Sequence, residues 1–164
     1  MIDVFLVLQK DPKKWRVRYE IAKQLNILSR IYETETVFKY IFPISLKLCN
    51  DNVSEVRLEA ALQMLHVIDN MKYSGLYQEM ALESLKGYAL SEKCIQRETF
   101  AYMIRNLFKV KEFADKLMPL VVELSRDRVV LVRITLAISV SMILKETPEA
   151  ANILGETIFN IRQD

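Results

Sequence analysis

The chain has few of the residues that punctuate a fold. Its 164 residues include three glycines (Gly75, Gly87, Gly155) and four prolines (Pro12, Pro43, Pro119, Pro148). A many-stranded sheet needs a turn signal about every 8–12 residues, so this scarcity excludes one and leaves long helices joined by short polar links. Cysteine is equally sparse. Cys49 and Cys94 share no metal-ligand spacing and no disulfide framework, and read as two reduced, partly buried thiols. The single histidine, His66, sits among apolar neighbours and reads as a packed structural side chain. No glycine-rich phosphate loop, nucleophile elbow or histidine pair is present. Glu33 and Glu35 fall in a link and read as solvated charge, and the seven methionines as core filler. These absences point to a non-catalytic protein with no cofactor and no metal site.

Charge of one sign is also lacking. A formal net charge of +2 is too small to demand nucleic acid. A helical-repeat DNA glycosylase, which needs a cationic groove, is disfavoured on the same ground. The longest apolar stretch, Val129 to Leu144, is broken by Arg133 and carries Thr135, Ser139 and Ser141, so a membrane span of ~20 apolar residues is not expected. Asp3 stands where a secretion signal carries positive charge. A cytoplasmic or nuclear setting is the expectation.

An internal repeat organises what is there. Asp51-Asn-Val-Ser-Glu-Val56-Arg57, Ser91-Glu-Lys-Cys-Ile-Gln96-Arg97 and Asp127-Arg-Val-Val-Leu-Val132-Arg133 align without gaps, and Asp11 to Arg18 fits with one extra residue. The arginines 18, 57, 97 and 133 are 39, 40 and 36 residues apart. That period belongs to two-helix repeats of the HEAT and armadillo kind. Pro43 and Pro119 each precede the turn aspartate by eight residues inside apolar runs, where a proline costs ~3 kcal/mol and predicts a kink; Glu83 takes that place in the third unit.

The pattern predicts one domain, 1–164: an all-α HEAT-repeat α-solenoid, or α-α superhelix, of about four helical hairpins and a final helix. The repeats span about 1–31, 36–69, 75–108, 112–146, with the last helix at 148–162. Helices are expected at 2–10, 14–31, 36–49, 53–69, 75–90, 92–108, 112–125 and 128–146. Asn52 with Glu55 suggests a capping box, Ser91 and Asp127 can cap, and Thr147 precedes Pro148 at a first helical position. In 53–69, Val56, Ala60, Met64, Val67 and Ile68 form one apolar stripe, widened by Leu58, Ala61, Leu62 and Leu65. A helix so apolar touches several neighbours, as solenoid helices do. The apolar Val4–Leu8 predicts a cover for that end, and self-association through the N-terminal helix is one way to supply it.

The short turns carry the candidate chemistry. The first gathers Lys10, Asp11, Lys13, Lys14, Trp15, Arg16 and Arg18. Either Trp15 packs under the loop while the charges stay solvated, or it anchors a protein contact, since Trp and Arg dominate interface hot spots. Arg18, Arg57, Arg97 and Arg133 share one phase and are expected to form a ladder with Asp11, Asp51 and Asp127 that fixes repeat register.

Trp15-Arg16-Val17-Arg18 resembles a run in the scaffolding A subunits of protein phosphatase 2A. The turn at Asn50–Arg57, the helix start Ile95-Gln96-Arg97-Glu98-Thr99-Phe100, and Leu117-Met118-Pro119-Leu120 followed by Asp127 to Arg133 continue the order of features in that family's last repeats. The resemblance covers roughly residues 10 to 146. It implies a scaffold or regulatory subunit whose intra-repeat turns form a ridge that holds a serine/threonine phosphatase catalytic subunit. The implied contact residues are Lys14, Trp15 and Arg16 in the first turn and Asn52, Val53, Ser54 and Glu55 in the second. They continue with Lys93, Cys94 and Ile95 in the third and Arg128, Val129, Val130 and Leu131 in the fourth. The alternative is a HEAT-type adaptor for an unrelated protein or ribonucleoprotein, because one fold serves many partners.

Overall fold

The computed structural model describes residues 13–161. Eight helical segments follow one another among the described residues. Helix α1 is Trp15–Ile31, and α2 is a continuous run made of Thr34–Thr36, a π-helical turn Val37–Ile41 and Phe42–Leu48. Helix α3 is Ser54–Asn70, trailed by a 3-10 turn Met71–Tyr73; α4 is Gly75–Ala89, α5 Cys94–Leu107 and α6 Lys111–Leu124. Helix α7 is Val130–Glu146, and a 3-10 turn Pro148–Ala150 leads into α8, Ala151–Ile161. No strand occurs among the described residues, and the fold class is the expected all-α helical-repeat solenoid. The expected helix 2–10 and Asp11 lie outside the described residues.

Two compact units divide the chain, one ending at Ser84 and the other beginning at Leu85. In the first, α1 packs along α3, with α2 against both. The stripe that amphipathic spacing predicts on α3 is the one it buries: Val56, Ala60, Met64, Val67 and Ile68 are all enclosed, with Ala61 beside them. Leu25 of α1 and Val37 and Ile41 of α2 complete this core. In the second unit α5 packs along α7, and α6 against both; α8 packs against α6 and α7. Phe100, Met103, Ile104 and Leu107 of α5 are buried there, as are Val132, Leu136, Val140 and Ile143 of α7 and Phe113, Leu117 and Val121 of α6. Each such large side chain contributes about 1.5–3 kcal/mol by leaving water.

The two repeat-phased prolines behave differently. Pro43 has no N–H for the carbonyl four residues back, and the helix widens just before it into the π turn Val37–Ile41. Pro119 lies within α6, which runs on through it to Leu124. Both rings face solvent. Phe38 stacks on Tyr77, ring centroids 4.5 Å apart, which ties α2 to the start of α4 inside the first unit.

Candidate functional site

Each described turn within a hairpin is built from one residue two places before the helix cap. Asp51 Oδ1 accepts the Val53 N–H at 2.9 Å, Asp127 Oδ1 accepts the Val129 N–H at 2.8 Å, and Ser91 Oγ accepts the Lys93 N–H at 3.1 Å. The helices then start three residues after the acceptor, at Ser54, Val130 and Cys94, with Val53, Val129 and Lys93 as extended cap residues. This corrects the expected caps. Asn52 forms no capping box: it is exposed, and Glu55 accepts the Ser54 hydroxyl at 2.9 Å. Ser91 and Asp127 close the turn and do not cap the helix, because each stands too early to reach its first-turn amides. An Asx-type turn satisfies the same backbone more locally.

The recurring arginines hold these turns from two sides. Arg18 reaches forward from α1 to Asp51, Nε to Oδ2 at 2.5 Å and Nη2 to Oδ1 at 3.0 Å. Arg97 reaches from α5 to Asp127 with the same two-pronged geometry, 2.5 and 3.0 Å. A planar guanidinium fork meeting a carboxylate edge-on is the strongest form of such a pair. Both pairs are almost enclosed, their side chains 6–9% exposed. The fork also reaches back to its own turn: Arg97 Nη1 donates to the Ser91 and Glu92 carbonyls, Arg57 Nη1 to the Asp51 and Asn52 carbonyls, and Arg133 Nη1 to the Asp127 carbonyl. Arg57, Arg97 and Arg133 therefore each staple their own turn, and Arg18 and Arg97 lock the turn of the following hairpin.

Partial burial alone would raise the Asp51 and Asp127 carboxyls. The arginine hydrogen bonds, the Val53 and Val129 amides and the guanidinium charge outweigh it and hold both below the usual carboxylate range. At the third turn Ser91 offers no charge, and its hydroxyl bonds the Gln96 side chain instead.

With the staple residues turned inward, the contact candidates face water. Lys14, Arg16, Asn52, Ser54, Glu55, Lys93, Cys94, Ile95, Arg128, Val130 and Leu131 are exposed, and Val53 and Val129 partly so. Trp15 is half-buried at the first position of α1, with the Arg16 guanidinium 4.7 Å from its ring centroid, a cation–π contact. In the second unit, the third and fourth turns flank a cleft of about 310 Å³ lined by Ser91, Glu92, Arg97, Arg126, Asp127 and Arg128, among others. Arg126 is engaged by Glu156 at 3.1 Å and Asn160 at 3.3 Å.

The cysteines differ from expectation. Cys49 is fully enclosed, which pushes its thiol pKa far up, whereas Cys94 is exposed because it opens a helix at the turn. His66 is half-buried on α3, and Glu33 and Glu35 are exposed. Among the described residues no three His, Cys, Asp or Glu side chains gather as a metal site. No described helix is long and apolar enough to cross a membrane.

Two features were not anticipated. Asn70, the last residue of α3, donates to the Ser29 carbonyl at 2.6 Å and ties the far end of α3 to the end of α1. Ile134 and Ile138 of α7 are about half exposed, in line with Val130 and Leu131. The signal for the second was present in the sequence: Val129–Leu144 is apolar on every side, more than one packed face requires.

No protein-family model matches the chain. It aligns over 153 positions, at 30% identity, with serine/threonine-protein phosphatase 4 regulatory subunit 1 of Rattus norvegicus, and the alignment covers 87% of this chain and 16% of that protein. The proteins of the same name from Mus musculus and Homo sapiens are each 29% identical, over 150 and 153 residues. The chain thus spans about a sixth of the length of the curated relatives it matches. The similarity is to a regulatory subunit of a serine/threonine phosphatase.

Proposed function

We propose that this chain is a non-catalytic regulatory or scaffolding module that binds the catalytic subunit of a serine/threonine protein phosphatase through its intra-hairpin turns. The observation that carries the reading is the alignment with phosphatase 4 regulatory subunits over 87% of the chain. Such coverage takes in all three fully described turns and is not a match to one short motif. The turn construction supports it. Arg18, Arg57, Arg97 and Arg133 satisfy the turn backbones or carboxylates, which leaves Trp15, Arg16, Val53, Ile95, Arg128, Val130 and Leu131 available to a partner. Trp and Arg are efficient contact residues because they dominate interface hot spots. The role belongs to the cytoplasm or nucleus.

The test is direct binding of a purified phosphatase 4-type catalytic subunit to the purified chain by biolayer interferometry. Saturable binding is expected, weakened at least tenfold by Trp15→Ala combined with Arg16→Ala. Absence of binding to the wild-type chain, or equal binding of wild type and variant together with capture of an unrelated protein by the same turns, sinks the reading in favour of a general adaptor.

A further inference from the structure

Helix α7 carries apolar side chains on every face, interrupted by Arg133, Thr135, Ser139 and Ser141, a pattern that ordinarily belongs to a helix with several neighbours. One side is enclosed: Val132, Leu136, Val140 and Ile143 are buried in the second unit. The other is not. Val130, Leu131, Ile134 and Ile138 are 56%, 53%, 50% and 51% exposed. Positions 130, 134 and 138 are four apart, so they form one stripe that starts at the fourth turn, and Leu131 broadens its head. On α5, packed alongside, Ile95 takes the repeat position of Leu131 and is 49% exposed. The stripe is specific to this helix. The matching positions are Leu58 and Leu62 on α3, both half-buried, and Tyr19 and Lys23 on α1. Charge bounds it: Arg128 at the turn, and the Lys109–Glu146 pair at 3.0 Å where α5 and α7 end.

We propose that the stripe Val130–Ile134–Ile138 is the apolar centre of the contact with the phosphatase catalytic subunit, and that Lys93 and Arg128 belong to its rim. The inference rests on the reading given above and extends it from the turn onto the helix face. Two arguments select this occupant. Val130 and Leu131 are candidates for the turn contact and also form the head of the stripe, so the surface is continuous with the proposed contact. The anatomy also fits: a stable interface needs a desolvated apolar centre inside a polar rim, and most of the exposed turn candidates are polar and suit only the rim. The matching surface is a ridge of aliphatic or aromatic side chains with a carboxylate placed for Arg128.

The test uses the full chain and the purified catalytic subunit. Ile134→Gln with Ile138→Gln removes the stripe at positions already half in water, so the fold should hold, which circular dichroism checks. Binding at least tenfold weaker is expected, and the part lost should be the part that resists added salt. As a measurement free of destabilisation, a photo-crosslinking residue at position 138 should be captured by the catalytic subunit, and one at Tyr73, 83% exposed elsewhere, should not. If the double variant binds as wild type and position 138 is not captured, while Trp15→Ala with Arg16→Ala still weakens binding, the extension is wrong and the functional reading stands. If the wild-type chain does not bind, both fall. If the chain sediments as a dimer that the double variant dissolves without changing phosphatase binding, the occupant is a second copy and the proposal is overturned.

Discussion

The two units solve the same problem identically at one end and differently at the other. At the turns, Arg18–Asp51 in the first unit and Arg97–Asp127 in the second are the same enclosed fork. At the opposite ends of the helices, one repeat position carries two chemistries. Asn70 closes the first unit with a neutral amide on the Ser29 carbonyl, one of the acceptors a helix end leaves unpaired. Glu146, thirteen residues after Arg133 as Asn70 is after Arg57, closes the second with an exposed carboxylate facing Lys109 at 3.0 Å and Arg105 at 3.9 Å. The enclosed fork is retained where backbone turns must be held rigid; the far ends only need a link, and either kind serves.

That contrast can be broken by substitution. Arg18→Ala and Arg97→Ala should have the largest effects, because each strands an almost enclosed aspartate. A cost of about 3–5 kcal/mol is expected in the unit concerned, read as faster amide exchange along α1 and α3 for the first and α5 and α7 for the second. Equal loss in both units from either variant would contradict the independence of the two staples.

Acid should weaken both staples in step. The Asp51 and Asp127 carboxyls are held below their ordinary range when folded, so their contribution is complete above the unfolded value near pH 4 and is lost as pH falls through the depressed folded values. Thermal unfolding measured from neutral pH downward should show this loss, and Asp51→Asn with Asp127→Asn should flatten it.

The far ends should respond less. Asn70→Ala is expected to cost about 1–2 kcal/mol in the first unit, since it leaves a helix-end carbonyl short of a donor. Glu146→Ala should have the smallest effect, and that effect should fade as salt is added, because the Glu146 and Lys109 side chains are 45% and 47% exposed. Chemical denaturation at low and high salt separates the two. A salt-dependent Asn70 effect would mean the contrast is misdrawn.

The periodicity of apolar residues and the spacing of the arginines made the described helices legible before any coordinates, often to within one or two residues, and of the expected arginine–aspartate ladder the described residues hold the Arg18–Asp51 and Arg97–Asp127 pairs. Helix α3 is the clearest case, its five predicted stripe residues all enclosed. Capping was less legible. Asn52 and Asp51 are both good turn residues, and Asp51 is the one that accepts the Val53 amide while also receiving the Arg18 fork from another helix. Long-range partners of that kind have no local signature. The same holds for Cys94, whose exposure follows from its place at a turn, and for Asn70, whose partner is on a different hairpin. The stripe on α7 was half visible, since apolar residues on every face cannot all be packed, but which face stays open depends on the neighbours.

The most direct test of the account is a hydrogen-exchange footprint of the chain with and without the purified phosphatase catalytic subunit. Slowed exchange is predicted at 15–16, 53–56, 93–96 and 128–131, continuing along the first half of α7, with α2 and α4 unchanged. Protection confined to α2 or α4, or no protection at a saturating concentration of the catalytic subunit, would contradict it.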